Sequence, residues 1–258
     1  MYTQVIHAEY DKFTTLHFSG SGNCIECHDN LTDTSGDNVS IVSDWSGSMM
    51  ANASKDPFWK AKVASELERN PYLTTVINDK CTKCHAPMAN YEITISQDED
   101  IELFGSEGIL DNTNAMHDAA LNGVSCTLCH QITDDDSLGT LDGFSGEYKI
   151  NDSKSIYGQY DDVSINPMFS GTGSGYTPTY SAHISTSELC ATCHELSTPF
   201  VDANGDLAST TPETEFPEQT PYTEWENSDF SDTGSTPASC QDCHMPKTTS
   251  KVANRPNR

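Results

Sequence analysis

The sequence predicts a mainly α chain with extensive irregular loops and minor short β-hairpins, and three observations carry that expectation. Helix signals are few and short, and most lead into a cysteine. The text between them is rich in Gly, Ser, Thr, Asp and Pro, the residues of turns. Only 35% of the 258 residues are hydrophobic and the mean hydropathy is -0.55, so side chains alone make a thin core for this length. Something else must fill the interior.

Taken in chain order, the clearest helix begins at Asp56-Pro57, an N-cap acid followed by proline at the first helical position. Trp59, Val63 and Leu67 recur four apart on one face, and Asn70-Pro71 ends the run. A second short helix is expected over about 71–79, leading into Cys81, and a third over about 113–121, ending at Asn122-Gly123 before Cys126. Ser187 is placed to cap a short helix that carries Cys190. Asp202-Ala-Asn-Gly-Asp206 reads as a hairpin turn between short strands. Residues 208–239 hold no Cys or His and read as a surface excursion from a single domain spanning 1–258.

Lys plus Arg number 13 against 39 Asp plus Glu, a formal net charge of -26. Such a chain repels phosphate backbones and anionic lipid heads, which excludes nucleic acid as a partner and leaves basic proteins or plain solubility as the use of the charge. From Ser155 to Pro246 there are 14 acids and no Lys or Arg, whereas the last twelve residues hold Lys247, Lys251, Arg255 and Arg258. That basic tail is expected either to fray or to dock on a neighbour's acidic surface. No run reaches the about 18 to 20 apolar residues of a transmembrane segment, and Met1 to Gly20 lacks the layout of an export signal.

All ten cysteines fall into five Cys-x-x-Cys-His blocks: Cys24-Ile-Glu-Cys27-His28, Cys81-Thr-Lys-Cys84-His85, Cys126-Thr-Leu-Cys129-His130, Cys190-Ala-Thr-Cys193-His194 and Cys240-Gln-Asp-Cys243-His244. This spacing suits haem c: two sulfurs form thioethers to the two vinyl-derived positions of one haem, and the adjacent His reaches under the ring to the iron. Zinc ribbons do not require a His after every second Cys, and a disulfide framework requires none. Five blocks out of five therefore point to five haem c groups, whose apolar discs supply the missing interior. Motif starts are separated by 57, 45, 64 and 50 residues, so the chain is not a periodic repeat. Covalent haem attachment takes place outside the cytoplasm, so an export signal is expected to have been removed.

Four histidines remain, His7, His17, His117 and His183. A lone His is more often decoration than a ligand, but His17 precedes Cys24 by seven residues, His117 precedes Cys126 by nine and His183 precedes Cys190 by seven. That regularity marks them, with His7, as distal ligands that tie neighbouring haems together. Five irons have ten axial positions and the chain has nine histidines, so one position needs a Met, another group or nothing. Met88 and Met245 follow a proximal His too closely to cross to the far face; Met49, Met50 and Met168 are freer.

The stretches Trp45-Ser-Gly-Ser-Met-Met-Ala-Asn-Ala-Ser-Lys-Asp-Pro-Phe-Trp59, Gly123 to His130, His183 to His194 and Ser239 to Pro246 resemble the bacterial and archaeal multihaem cytochromes c. The resemblance implies a multihaem cytochrome c fold organised around stacked haems, bis-histidine low-spin irons and respiratory electron flow outside the cytoplasm, at the cell surface or beyond it, or in the periplasm. Redox partner proteins or extracellular acceptors are implied as partners, as is self-association into a haem-threaded filament. Similar cytochromes continue past the equivalent of Arg258, so this chain is expected to be a fragment or a processed piece. Two functions stay open. One is an electron conduit with no catalytic residue; the other is an oxidoreductase with one open iron for a small substrate. No Cys-x-x-Cys-Lys block is present to favour the second.

Overall fold

The computed structural model describes residues 10–163, 168–169, 175–208, 211 and 214–254; His7, Arg255 and Arg258 lie outside the described residues. The architecture is mainly helical with long irregular connections and two small strand pairs, as the sequence predicts. No helix among the described residues is long and apolar enough to cross a membrane.

The Pro57–Arg69 helix starts where the sequence places it, with the Asp56 carboxylate accepting from Phe58 N at 2.8 Å and Asn70 closing its end. Trp59 and Val63 on its inner face are buried and Leu67 packs beside them. A short 3-10 turn, Pro71–Leu73, then leads into the Thr74–His85 helix, which does not stop near 79. It continues through Cys81 and Cys84 because nothing in the motif breaks a helix, and it ends at Ala86-Pro87.

The third expected helix begins later, at His117–Leu121. Asp111 Oδ1 accepts from Thr113 N at 2.8 Å and Asn114 Oδ1 accepts from Met116 N at 2.8 Å, and these local side-chain turns compete with helix before it can start. After it, Gly123 turns the chain with φ +61. A Cβ there would also lie 2.6 Å from Met50 O and 2.8 Å from Ala51 O. Gly123→Ala is therefore expected to lower unfolding stability by about 1–3 kcal/mol, measured on the holoprotein by chemical denaturation.

Ser187 is not the cap of its helix. Thr186 is the N-cap of Ser187–His194, and Ser187 is buried as the first helical residue, its Oγ accepting from Cys240 N at 3.0 Å. Of the two strand pairs among the described residues, Leu196–Thr198 with Phe216–Gln219 is antiparallel; Ser155–Gly158 and Thr177–Tyr180 pair in parallel, joined by a connection longer than a hairpin turn. The expected turn at Asp202–Asp206 forms, with Val201 bridged to Leu207, Gly205 at φ +89 and Asp202 Oδ1 accepting from Asn204 N and Asp206 N.

Within the 208–239 span, the Phe216–Gln219 strand and the Pro221–Glu226 helix return to the fourth motif. Gln219 Nε2 donates to Cys193 O at 3.0 Å, and the Glu195 carboxylate accepts from Thr223 N and Thr223 Oγ1 at 3.0 and 2.8 Å. The described end of the basic tail folds back on its own chain: Asn254 N donates to Cys27 O at 2.8 Å and Asn254 Nδ2 to Asp29 O at 2.9 Å. The main core cluster runs from Phe18 to Leu189, and all its members but Leu189 precede residue 151. The C-terminal part is correspondingly short of protein core.

Candidate functional site

Cys at i and i+3 with His at i+4 falls on one side of a helix, and each motif stands on one. Cys24 precedes the Ile25–His28 helix, which holds Cys27; Cys81, Cys84 and His85 finish Thr74–His85; Cys126–Cys129 is a helical turn closed by His130. Cys190, Cys193 and His194 lie in Ser187–His194, and Cys240–His244 is a helix of its own, with Cys243 on its exposed side. Its start is a reciprocal cap, Ser239 Oγ accepting from Asp242 N and the Asp242 carboxylate accepting from Ser239 N at 3.2 and 2.9 Å. All ten cysteines are free of disulfides.

Thiols of different motifs meet. Cys24 is within hydrogen-bonding reach of Cys126, Cys84 of Cys193, and Cys190 of Cys240. Cys129 is close enough to Cys193 and Cys190 to feel their charge. The imidazoles repeat the pattern, His28 near His130, His85 near His194 and His194 near His244. The first motif thus adjoins the third, and the fourth adjoins the second, third and fifth.

Burial pushes the Cys81 thiol up to about 11, and those of Cys129 and Cys190 up to about 12, so all three carry their protons at neutral pH. Among the described residues, no three His, Cys, Asp or Glu side chains gather as ligands for a bare ion.

The histidines of the first three motifs share one device. His28 Nδ1 donates to Val252 O at 2.7 Å, His85 Nδ1 to Ala53 O at 3.3 Å and His130 Nδ1 to Tyr157 O at 2.6 Å. A carbonyl can only accept, so Nδ1 holds the proton and Nε2 presents its lone pair, the tautomer an iron ligand needs. Burial also holds the His85 and His130 imidazoles below the ordinary histidine range, which keeps them neutral at pH 7. His85 is further clamped by Trp59, whose ring stacks on it at 4.6 Å and 6°.

A cleft of ≈ 2320 Å³ opens between the motifs, lined by Cys84, His85, Cys129, His130, Cys190, Cys193, His194, Cys240 and His244. Pockets for single small ligands span about 300–1,000 Å³, so this one has room for more than one large group. Its walls include Leu31, Val39, Leu128, Ile132 and Leu189, and Ile41, Met49, Tyr160 and Met245 stand on it exposed. An apolar hollow fringed by exposed apolar side chains and by Cys-His pairs fits haem, which would cover them. Cys84, Cys129, Cys190, Cys193 and Cys240 with their histidines would hold it there; Cys24, Cys27 and His28 lie outside that lining.

The spare histidines differ in what the structure gives them. His17 is buried, with Nδ1 3.2 Å from Glu92 Oε2 and Nε2 3.2 Å from Asp152 Oδ1. His117 is half-buried and donates from Nδ1 to Ile109 O at 3.2 Å, which leaves Nε2 as the free acceptor. His183 is buried beside His130, and both nitrogens are engaged, Nε2 donating to Ile132 O at 2.9 Å and Nδ1 2.7 Å from Ser181 Oγ. Of the methionines, Met49, Met50 and Met245 line the cleft, while Met88 is fully buried against Thr127 Oγ1. Sequence reasoning missed Glu92, the stacking of Trp59 on His85 and the orienting carbonyls of Ala53, Tyr157 and Val252. Every residue carries a carbonyl, so those three leave no mark in a sequence; the buried acid does, but only through its neighbours in space.

Residues 23–131 match the family model described as cytochrome c554 and c-prime. The crystal structure of a penta-heme cytochrome c552 from Thermochromatium tepidum superposes with a TM-score of 0.48 at 17% identity, over 93% of this chain and 56% of that one, so the chain spans little more than half of its length. No curated protein matches the sequence.

Proposed function

We propose that this chain, a multihaem cytochrome c, binds five haems through its five Cys-x-x-Cys-His blocks and works as an electron conduit outside the cytoplasm. Haem-based electron transfer is the function of its family; the number of haems, the conduit role and the setting are the proposal. What supports it is the meeting of thiols from different motifs, which makes one continuous set of attachment sites out of blocks 45 to 64 residues apart.

Each bound haem supplies the one-electron couple of its iron. The chain's own part is to attach, orient and screen. The paired thiols anchor, the helix that carries them fixes the anchor's direction, and the carbonyls of Val252, Ala53 and Tyr157 hold three proximal imidazoles with Nε2 available. Trp59, Leu128, Ile132 and Leu189 give these sites dry walls, which tune potentials by burial. A net charge of -26 suits a basic redox partner or a salty, exposed setting, the cell surface or extracellular space before the periplasm. Self-association into a filament belongs to the same proposal, with the exposed fifth motif as one place where a neighbouring copy would meet the chain.

Intact mass spectrometry of the holoprotein is expected to show five haem additions. A haem-free, zinc-loaded protein, or fewer than five additions on the fully matured chain, would refute the stoichiometry. Oxidised-state EPR separates the conduit from an oxidoreductase, since a haem that binds and turns over a small substrate shows as a high-spin signal that the substrate shifts.

A further inference from the structure

Glu92 is an acid in the wrong place for a solvated one. It is 2% exposed and sits in the π-helical segment Tyr91–Ile95, a rare geometry that re-aims side chains and recurs at functional sites. Its Oε1 accepts from Thr15 Oγ1 at 2.5 Å and from His17 N at 2.7 Å, and its Oε2 accepts from His17 Nδ1 at 3.2 Å. Among the described residues its ion-pair partner is His17, with no Lys or Arg in that place.

Everything else around His17 is fixed as well. Its carbonyl accepts from Tyr176 Oη at 2.7 Å and Gln131 Nε2 at 3.0 Å, and the edge of Tyr91 meets its ring at 5.2 Å. Backbone N–H, backbone C=O and Nδ1 are therefore all held by interior partners. Nε2 alone faces a group in solvent, the Asp152 carboxylate, whose side chain is 95% exposed. An exposed carboxylate is a weak, displaceable partner; Glu92 is neither exposed nor displaceable.

We infer that Glu92 is the positioning residue for His17, aiming Nε2 outward as an iron ligand and lowering the midpoint potential of the haem whose iron it takes. The inference rests on the reading of His17 as a distal ligand. An Nδ1–H bonded to a buried carboxylate makes the opposite nitrogen a stronger donor and places negative charge beside the iron, and both favour the ferric state. A buried ion pair kept only for stability is the competing account, and such pairs are poor stabilisers.

The test is a spectroelectrochemical titration of the holoprotein with EPR, on Glu92→Gln, Glu92→Asp and His17→Ala. Glu92→Gln is expected to move the midpoint of one low-spin haem positive, with its spin state kept and the other haems unmoved. Glu92→Asp, which keeps the charge at shorter reach, is expected to move the same midpoint less. It also serves as the readout if the Gln variant does not mature, since an unshifted or negative midpoint there overturns the inference. His17→Ala is expected to turn one haem high-spin. If it does so while Glu92→Gln moves no midpoint, or moves it no more than Glu92→Asp, the role of Glu92 is overturned and the ligand reading stands. If His17→Ala leaves every haem low-spin, the ligand reading fails and takes the inference with it.

Discussion

Replacing both thiols of the fourth motif, Cys190→Ala with Cys193→Ala, is expected to leave a four-haem protein in which the first and third sites are cut off from the second and fifth. The fourth motif is the junction: its thiols lie against Cys84 of the second and Cys240 of the fifth and beside Cys129 of the third. Like the second and third motifs it borders the main core, with Leu189 buried beneath it and Cys193 packed against the cluster. Losing a group larger than any side chain there is expected to cost more than the about 3–5 kcal/mol of a buried Phe or Trp truncation. Three measurements follow the change. Intact mass should fall by one haem, thermal unfolding should drop steeply, and stopped-flow reduction should split into phases from three unconnected groups, the first site with the third, the second alone and the fifth alone. The matched control is Cys240→Ala with Cys243→Ala at the exposed fifth motif, which also loses one haem but leaves the other four contiguous. Identical reduction kinetics in the two variants would remove the fourth motif from its central place.

His117→Ala is expected to keep all five haems attached and convert one from low spin to high spin. The thioethers are untouched by the change, so mass is preserved; what disappears is an imidazole whose Nδ1 is already committed to Ile109 O and whose Nε2 is open. The ring is carried by the first residue of the His117–Leu121 helix, which Ala119 and Ala120 lock into the core. Near-infrared magnetic circular dichroism of the parent protein should show four bis-histidine haems and one exception, because nine histidines serve ten positions. In the variant the exceptions should number two. An unchanged spectrum would show that His117 binds no iron. A parent spectrum with two exceptions would instead point to His183, whose Nε2 is tied to Ile132 O.

The chemistry of this chain was legible in its sequence because it is local. A Cys-x-x-Cys-His block spans five consecutive residues, and the Asp56-Pro57 start of a helix spans two, so each reads directly from spacing and residue type. The Ser187 cap was misread for the same reason in reverse. Its hydroxyl is engaged by Cys240 N, 53 residues away, and no local rule contains that partner. The paired strands Ser155–Gly158 and Thr177–Tyr180 show the same limit, since parallel pairing depends on how the connection between them packs.

Sequence alone therefore determined the five Cys-x-x-Cys-His blocks, the net charge and the shortage of protein core. Tertiary structure decided which blocks are neighbours, that the tail closes on the first of them through Asn254 and Val252, and that Glu92 is buried against His17. The physical reason is distance along the chain. His28 meets Val252 across 224 residues and His17 meets Glu92 across 75, and contacts of that separation exist only after the core has packed and brought their elements together.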